Sequence, residues 1–228
     1  MSTNVLITGG YGLLGTKLRE YFPNNWCPTH EELDIQSRIS LSKISLIPDL
    51  VIHCAAIKTT ACDKDPLLAM ETNIVGTANV TRLCHECDAK MVYISTDYVF
   101  KGDRGGYRPD DEVYPVNYYA ETKLAGEYVV KSLPEDKYLI IRLSFYPDVY
   151  PHDTAYIDQW ATRYSVSNAA RSVAGTIGMG LCGIQHCCAP RRSIYEFAVA
   201  TAGGREIKPI HMPTDDGYKR PRDTSLFP

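Results

Sequence analysis

The sequence predicts an α/β protein, a doubly wound parallel sheet with a small C-terminal lobe. Two observations lead to it. Short apolar, β-branched runs alternate with stretches whose apolar residues recur at helical spacing, and a glycine-rich turn joins the first such pair. Helices set between short strands imply βαβ units, and so a parallel sheet covered on both faces.

The elements follow in order. "NVLIT" (4–8) reads as a buried strand, and "LLGTKLREYF" (13–22) as the helix after it. "DLVIHCAAI" (49–57), "KMVYIST" (90–96) and "KYLIIRLS" (137–144) are further strands, while residues 65–87 form one long helix. Residues 101–116, "KGDRGGYRPDDEVYPV", are too rich in Gly, Pro and charge for anything but a loop. A loop of this length in a compact domain is usually functional or disordered. Beyond residue 145, 168–177 and 193–204 look helical, and 183–189 and 207–212 strand-like. No repeat or low-complexity tract is visible. The organisation expected is a nucleotide-binding domain over 1–145 and a reduced substrate-binding lobe over 146–228, interleaved with it.

Composition narrows the classes of function. Hydrophobic residues make up 44% and charged residues 22%, values typical of a soluble globular chain. The net charge of −3, without a basic run, argues against nucleic-acid binding. No apolar stretch approaches the ~20 residues of a membrane span, and the N-terminus lacks signal-peptide features, so a cytoplasmic protein is expected. Eight cysteines show no disulfide rhythm. "CHEC" (84–87) and "HCC" (186–188) contain zinc-ligand types, but Cys84 and Cys87 near a helix end read as small apolar residues, and no metal is expected.

"TGGYGLLG" (8–15) sits directly between the first strand and helix, with Gly9, Gly12 and Gly15 at every third position. Such glycines allow a tight turn, close approach to a pyrophosphate and close helix–strand packing, and the helix N-terminus offers free N–H groups to phosphate. Dinucleotide binding on a Rossmann-type sheet follows. "WCPTHEELDIQSR" (26–38) shows no acidic residue immediately after a strand to hold a ribose 2′-hydroxyl, and no clear Arg pair. The reading leans to NADP(H), with NAD(H) open.

"NYYAETKLAGE" (117–127) holds two tyrosines ahead of a lysine. Residues four apart share a helix face, so Tyr119 and Lys123 make the pair, while Tyr118 points away. A free tyrosine, with pKa ~10, is a poor acid–base catalyst at neutral pH. A neighbouring ammonium would favour the phenolate and bring the pKa toward a useful range. Thr96, at the C-terminal end of a strand, where open α/β sheets bind ligands, can donate to a carbonyl oxygen.

In order, "TGGYGLLG", "CAAIKTTACDKDP", "TNIVGTANV", "VYISTDYVFKG", "PVNYYAETKLAGE", "IIRLS", "DQWATRYSVSNAARSV", "GIQHCCAPRRSIYEFA" and "RPRDTSL" resemble the extended short-chain dehydrogenase/reductase family. Within it they are most similar to the dTDP-4-dehydrorhamnose reductases and related NDP-sugar reductases. The resemblance implies a catalytic set of Thr96, Tyr119 and Lys123 supported by Asn73. Cofactor contacts are implied at Gly9, Tyr11, Gly12, Leu13, Leu14 and Gly15, at Asp34 and Ile35 near adenine, and at Ala55 and Ala56. The reaction implied is NAD(P)H-dependent reduction of a nucleotide-linked 4-keto-6-deoxy sugar, with hydride to C4 and the tyrosine as proton donor. Substrate contacts are implied at Asp97 and Phe145, the latter in place of a usual tryptophan. Arg163, Arg220 and Arg222 are candidates to meet a diphosphate.

Related dehydratases carry Asp-Glu after the threonine; here Tyr98 follows Asp97, which disfavours dehydration. Ala120 replaces a glycine, and the segment between "IIRLSFYP" and "DQWATRY" is short, so the sugar pocket is reduced. Two alternatives therefore stand: a catalytically idle, cofactor-bound regulatory subunit on the same fold, and an NDP-sugar epimerase. The family also implies a homodimer through helices 65–87 and 117–132.

Overall fold

In a computed structural model describing residues 3–214 and 217–228, the chain opens with β1 (Val5–Thr8), α1 (Leu13–Leu18), β2 (Asn25–Trp26), α2 (Arg38–Ser42) and β3 (Leu50–His53). There follow α3 (Thr59–Lys64), α4 (Pro66–Met70), α5 (Thr77–Cys87), β4 (Lys90–Ile94), α6 (Tyr118–Val130) and β5 (Tyr138–Arg142). The last third contains β6 (Phe145–Tyr146), β7 (Thr154–Tyr156), β8 (Trp160–Ala161), β9 (Tyr164–Ser165), α7 (Val166–Gly178), β10 (Gly183–His186), β11 (Arg192–Ser193), α8 (Ile194–Thr201) and β12 (Lys208–Ile210).

Six strands form one parallel sheet in the order β10-β5-β4-β3-β1-β2. Strand periodicity sends alternate residues to opposite faces. Val5 and Ile7 meet Leu14, Leu18 and Val173 of α1 and α7, whereas Leu6 between them meets Val80 and Val130 of α5 and α6. Both faces are thus covered, and the sheet is a doubly wound, Rossmann-like α/β sheet. The chain leaves β1 for β2 on one side and continues through β3 on the other. The topological switch point, where such sheets take ligands, lies at the carboxyl ends of β1 and β3.

Residues beyond 145 divide between two places. α7 and β10 complete the main sheet and its cover. β7, β8, β11, β12 and α8 enclose a separate small core of Tyr150, Ala155, Ala161, Ile194, Phe197, Ala198 and Ile207. The long loop is ordered by its own chemistry: Tyr107 stacks on Phe100 at 4.4 Å, and its hydroxyl accepts the Gly102 and Asp103 N–H groups at 2.9 and 3.1 Å.

The helix predicted over 65–87 is present but not uniform. Asp65 caps its start by accepting the Leu68 N–H at 3.0 Å, and residues Glu71–Gly76 widen into a π turn before α5 resumes. Such turns commonly mark functional sites, and this one carries Asn73. Cys84 is buried against the sheet and Cys87 packs beside it, so "CHEC" lies on the core side of α5. None of the helices in the described residues is long and apolar enough to cross a membrane.

α6 is fixed to the sheet by a buried ion pair. Glu127 on α6 accepts from Arg142 on β5 at 3.0 Å (Nε) and 2.7 Å (Nη2) and from Ser95 Oγ at 2.5 Å. Arg142 donates a third bond to the Pro109 carbonyl in the long loop at 3.1 Å. Helix and sheet approach closely because residue 126 is glycine: a Cβ there would stand 2.2 Å from the Tyr93 hydroxyl oxygen. Leaving one buried charge without its partner costs about 3–5 kcal/mol. Arg142→Met and Glu127→Gln should each destabilise by that order in urea unfolding, and the double variant by clearly less than their sum. Additive losses would show that the two side chains act independently.

Candidate active site

The glycine turn meets the loop after β3 at the switch point. A Cβ on Gly9, whose φ is +67°, would lie 2.6 Å from the Ala55 nitrogen, and one on Gly15 would lie 2.3 Å from the Gly9 carbonyl oxygen. These two glycines let turn, helix and neighbouring strand close up. On one side of this contact lies a cavity of about 440 Å³ bordered by Gly12, Tyr11, Pro28, His30, Ile35 and Ala55. On the other lies a cavity of about 410 Å³, reached by Leu13 and Ala56 and bordered by Thr96, Asp97, Tyr119, Lys123, Phe145 and Arg163.

The two cavities suit the two halves of a dinucleotide. α1 begins at Gly12 with no side-chain cap, so its first N–H groups are open to a phosphate between the halves. No carboxylate borders the first cavity among the described residues.

Not every implied contact faces the cleft. Leu14 is buried in the core beneath α1, leaving only its backbone near the turn. Ile35 borders the first cavity, but the Asp34 carboxylate closes its own turn on the Gln36 N–H at 2.9 Å. Asn73 is fully buried behind the site: its Oδ1 accepts the Ile57 N–H at 2.8 Å, and its Nδ2 donates to the Ile57 carbonyl and to Thr122 Oγ1 at 3.0 and 2.9 Å. It ties the loop after β3 to α6 and is a positioning residue. Arg220 does not border either cavity; it donates to the Tyr218 carbonyl at 3.2 Å and lies over that ring. Arg222 is exposed.

Thr96, Tyr119 and Lys123 do come together, with relations the sequence did not show. Burial pushes the Tyr119 phenol well above its ordinary pKa, opposed by the Thr96 hydroxyl. Lys123 is itself buried, its Nζ 4.0 Å from the centre of the Tyr93 ring, and desolvation lowers it to about 7 against the pull of Glu127. Burial thus acts on the two groups in opposite directions, the amine down and the phenol up. The Thr96 hydroxyl donates to Asp97 Oδ1 at 3.2 Å and accepts the Tyr98 N–H at 3.2 Å, so it serves a carbonyl only in exchange for its bond to Asp97. Asp97, whose other oxygen accepts from Thr224 at 2.5 Å, is pushed up by burial and held back by Arg163.

Behind them His53 is locked neutral, lowered to about 3 by burial. Thr77 donates to the Asn73 carbonyl at 2.7 Å and so must accept from His53 Nε2 at 3.0 Å, leaving Nδ1 to accept from Thr8 at 2.6 Å. Residues given no role from the sequence also border the second cavity: Cys54, Lys58, Tyr146 and Pro151. Only the aromatic–proline run "FYP" (145–147) hinted at that wall.

A doubly wound sheet with a glycine turn at its switch point, facing a Thr–Tyr–Lys cluster, defines a dinucleotide-binding protein of the short-chain dehydrogenase/reductase class. Residues 3–156 match the family model described as RmlD substrate binding domain, and the chain belongs to that family. It is 35% identical over 147 residues to a dTDP-4-dehydrorhamnose reductase of Mycolicibacterium smegmatis, a match covering 61% of this chain and 45% of that protein. The chain thus spans about half the length of the curated reductases it matches. Methionine adenosyltransferase 2 subunit beta of Bos taurus is 27% identical over 268 residues, covering 97% of this chain and 79% of the relative. That alignment exceeds the 228 residues present, so the relative carries residues this chain lacks. Among solved structures, a dTDP-4-dehydrorhamnose reductase from Bacillus anthracis in complex with NADP superposes with a TM-score of 0.87 at 29% identity, over 98% of this chain and 89% of that one. One from Clostridium acetobutylicum gives 0.88 at 30%, over 98% and 90%.

The buried lysine has a measurable signature. Its folded pKa, about 7, lies below the ordinary 10.5, so between these values the unfolded chain holds a proton that the folded chain has released. Its penalty is therefore complete below about pH 7 and relieved as pH rises toward 10.5, and stability gains over that window. Thermal melts of wild type and Lys123→Met should show the variant more stable near pH 6, with the difference shrinking toward pH 10. A constant difference would place the ammonium in water.

Proposed function

We propose that this chain is an NAD(P)H-dependent reductase of a nucleotide-linked 4-keto sugar, with Tyr119 as proton donor. One observation carries the reading: Tyr119, kept protonated by burial, stands beside Thr96 in a cavity that opens from the glycine turn. Names of relatives and solved neighbours point the same way. A phenol with a raised pKa is a poor base, but it remains a competent donor to an alkoxide formed beside it. The site is thereby biased toward reduction.

When bound, a reduced nicotinamide supplies the hydride. The chain's residues do the rest. Leu13 and Ala56 border the cavity that would hold the ring, and Tyr119 would give its proton to the oxygen that becomes the hydroxyl. Thr96 orients that oxygen as it gives up Asp97, and Lys123, close to neutrality, is placed to restore a proton to the site. The solved reductase in complex with NADP supports NADP(H), with NAD(H) open. Eight free thiols suit a reducing, cytoplasmic setting.

The second reading is a cofactor-bound regulatory subunit, favoured by the match to methionine adenosyltransferase 2 subunit beta over 97% of this chain. Following NADPH absorbance with dTDP- and UDP-4-keto-6-deoxysugars separates the two. Turnover supports the reductase, while silence with every sugar, together with capture of a partner protein, supports the regulatory role. A cofactor that co-purifies and does not exchange would indicate an epimerase instead. Tyr119→Phe should lower turnover by about 10²–10⁴-fold, the usual contribution of a positioned acid, and leave NADP(H) affinity unchanged; turnover at the wild-type rate would remove Tyr119 from the mechanism.

A homodimer through the helices of 65–87 and 117–132 is part of the same proposal. Leu67, Met70 and Val75 on the first and Tyr128 on the second are apolar and exposed, Leu67 and Tyr128 by 61% and 60%. Leu67→Glu with Val75→Glu should halve the mass seen by light scattering. An unchanged mass would put any oligomer contact elsewhere.

A further inference from the structure

Asp97 is a buried carboxylate held from two sides. Its Oδ1 accepts the Thr96 hydroxyl at 3.2 Å, and its Oδ2 accepts the Thr224 hydroxyl at 2.5 Å. The two bonds are unequal. A hydroxyl-to-carboxylate bond is strongest at about 2.5–2.7 Å, so Thr224 is the firm partner and the adjacent Thr96 the weaker one. The donor that satisfies this carboxylate thus comes from 127 residues along the chain.

The Thr224 hydroxyl is held in that place by its backbone. The residue is buried, and its N–H donates to the Trp160 carbonyl at 3.0 Å. Before it, Arg222 and Asp223 are tied to the Gly102 carbonyl, and the Asp223 carboxylate meets Arg191 at 2.7 Å. After it, the Ser225 N–H donates to Asp223 Oδ1 at 3.0 Å and the Leu226 N–H to Thr162 Oγ1 at 3.1 Å. The chain is fixed on both sides of Thr224, and its hydroxyl is delivered to Asp97.

The consequence falls on Thr96. Its oxygen already accepts the Tyr98 N–H at 3.2 Å, and it is hydrogen-bonded to the Tyr119 phenol in the second cavity. Its single proton therefore has two claimants, Asp97 and an oxygen beside Tyr119. A buried carboxylate with no other donor would keep that proton, because leaving a buried charge unsatisfied is costly. One already bonded to Thr224 can release it. Asp97 is also acted on by Arg163, whose charge favours the carboxylate, and its own charge raises the Tyr98 and Tyr119 phenols. The hydrogen bonds to its side chain, however, come from the two threonines and its own backbone.

We propose that Thr224 is a positioning residue for the reduction: by satisfying Asp97, it frees the Thr96 hydroxyl to turn to the carbonyl oxygen that Tyr119 protonates. This rests on the reductase reading and deepens it, since a residue of the C-terminal segment then governs a hydroxyl in the active site.

The test compares the full-length wild type with Thr224→Val, which keeps the shape and removes the donor, and Thr224→Ser, which keeps the donor. With NADPH and the 4-keto sugar that the wild type reduces, Thr224→Val should lose about tenfold in kcat, the scale of one hydrogen bond to a charged group. Its KM for the sugar should not change, and Thr224→Ser should recover most of the rate. Equal NADP⁺ affinity in all three proteins shows that the variants are folded. Carbon NMR of protein labelled at its aspartate carboxyls, with Asp97 assigned by Asp97→Asn, supplies a second readout. A donor to the carboxylate favours its charged form, so the Asp97 midpoint should rise by about one pH unit in Thr224→Val and stay in place in Thr224→Ser. The proposal is overturned if Thr224→Val keeps the wild-type kcat, if valine and serine cost the same, if the loss lies in KM alone, or if the Asp97 midpoint does not move. Silence of the wild type with every sugar would instead remove the reductase reading, and the Asp97 midpoint alone would then decide whether Thr224 governs that carboxylate.

Discussion

The Glu127–Arg142 pair is the constraint from which the rest of the site follows. Two opposite charges removed from water are tolerated only where each finds the other in good geometry. Here that geometry requires α6 to sit in one register on β5, with Ser95 closing the carboxylate from beyond β4. A helix slid by one turn would strand both charges. Because Tyr119, Lys123 and Glu127 are four residues apart in succession, fixing the last fixes the others. The third bond of Arg142, to Pro109, holds the long loop over the same point.

The same burial sets the protonation of the site. Packing α6 against Tyr93 at Gly126 removes water from Lys123, while Tyr119, one turn earlier on α6, lines the cavity. Desolvation opposes whichever form is charged, so the lysine moves down and the tyrosine up. The phenol is thus held neutral, while the lysine, lowered to about 7, can lose and regain its proton near neutral pH. That arrangement suits giving a proton to a newly formed alkoxide better than taking one from an alcohol.

The C-terminal segment closes over the site. Arg222 and Asp223 give their N–H groups to the Gly102 carbonyl at 2.9 and 2.8 Å, Trp160 donates to the Arg222 carbonyl at 2.7 Å, and Thr224 reaches Asp97. A tail remote in sequence therefore holds both the long loop and the carboxylate behind Thr96. With few residues between Phe145 and Asp158, the wall of the cavity is built from Phe145, Tyr146, Pro147 and Pro151, and the Arg163 guanidinium lies over the Tyr146 ring.

The alternation of strands and helices, the glycine turn and the choice of Tyr119 over Tyr118 were all legible in the sequence, because periodicity and i,i+4 spacing are local properties. Nearly every strand and helix predicted along the chain is present, including those in its weaker last third. The π turn, the two-residue strands and the joining of β10 to β5 were not legible, since each depends on a partner far along the chain. For the same reason the sequence could not show that Asn73 acts through Ile57 and Thr122, that Arg220 lies over Tyr218, or that the Leu14 side chain is buried in the core. Nor could it show that burial lowers Lys123 and raises Tyr119. Sequence determined which chemical groups are present and on which elements they ride. Tertiary structure alone decided their charge states and their neighbours, because desolvation and the placing of Asp97, Thr224 and Arg163 arise only when distant segments close over one another.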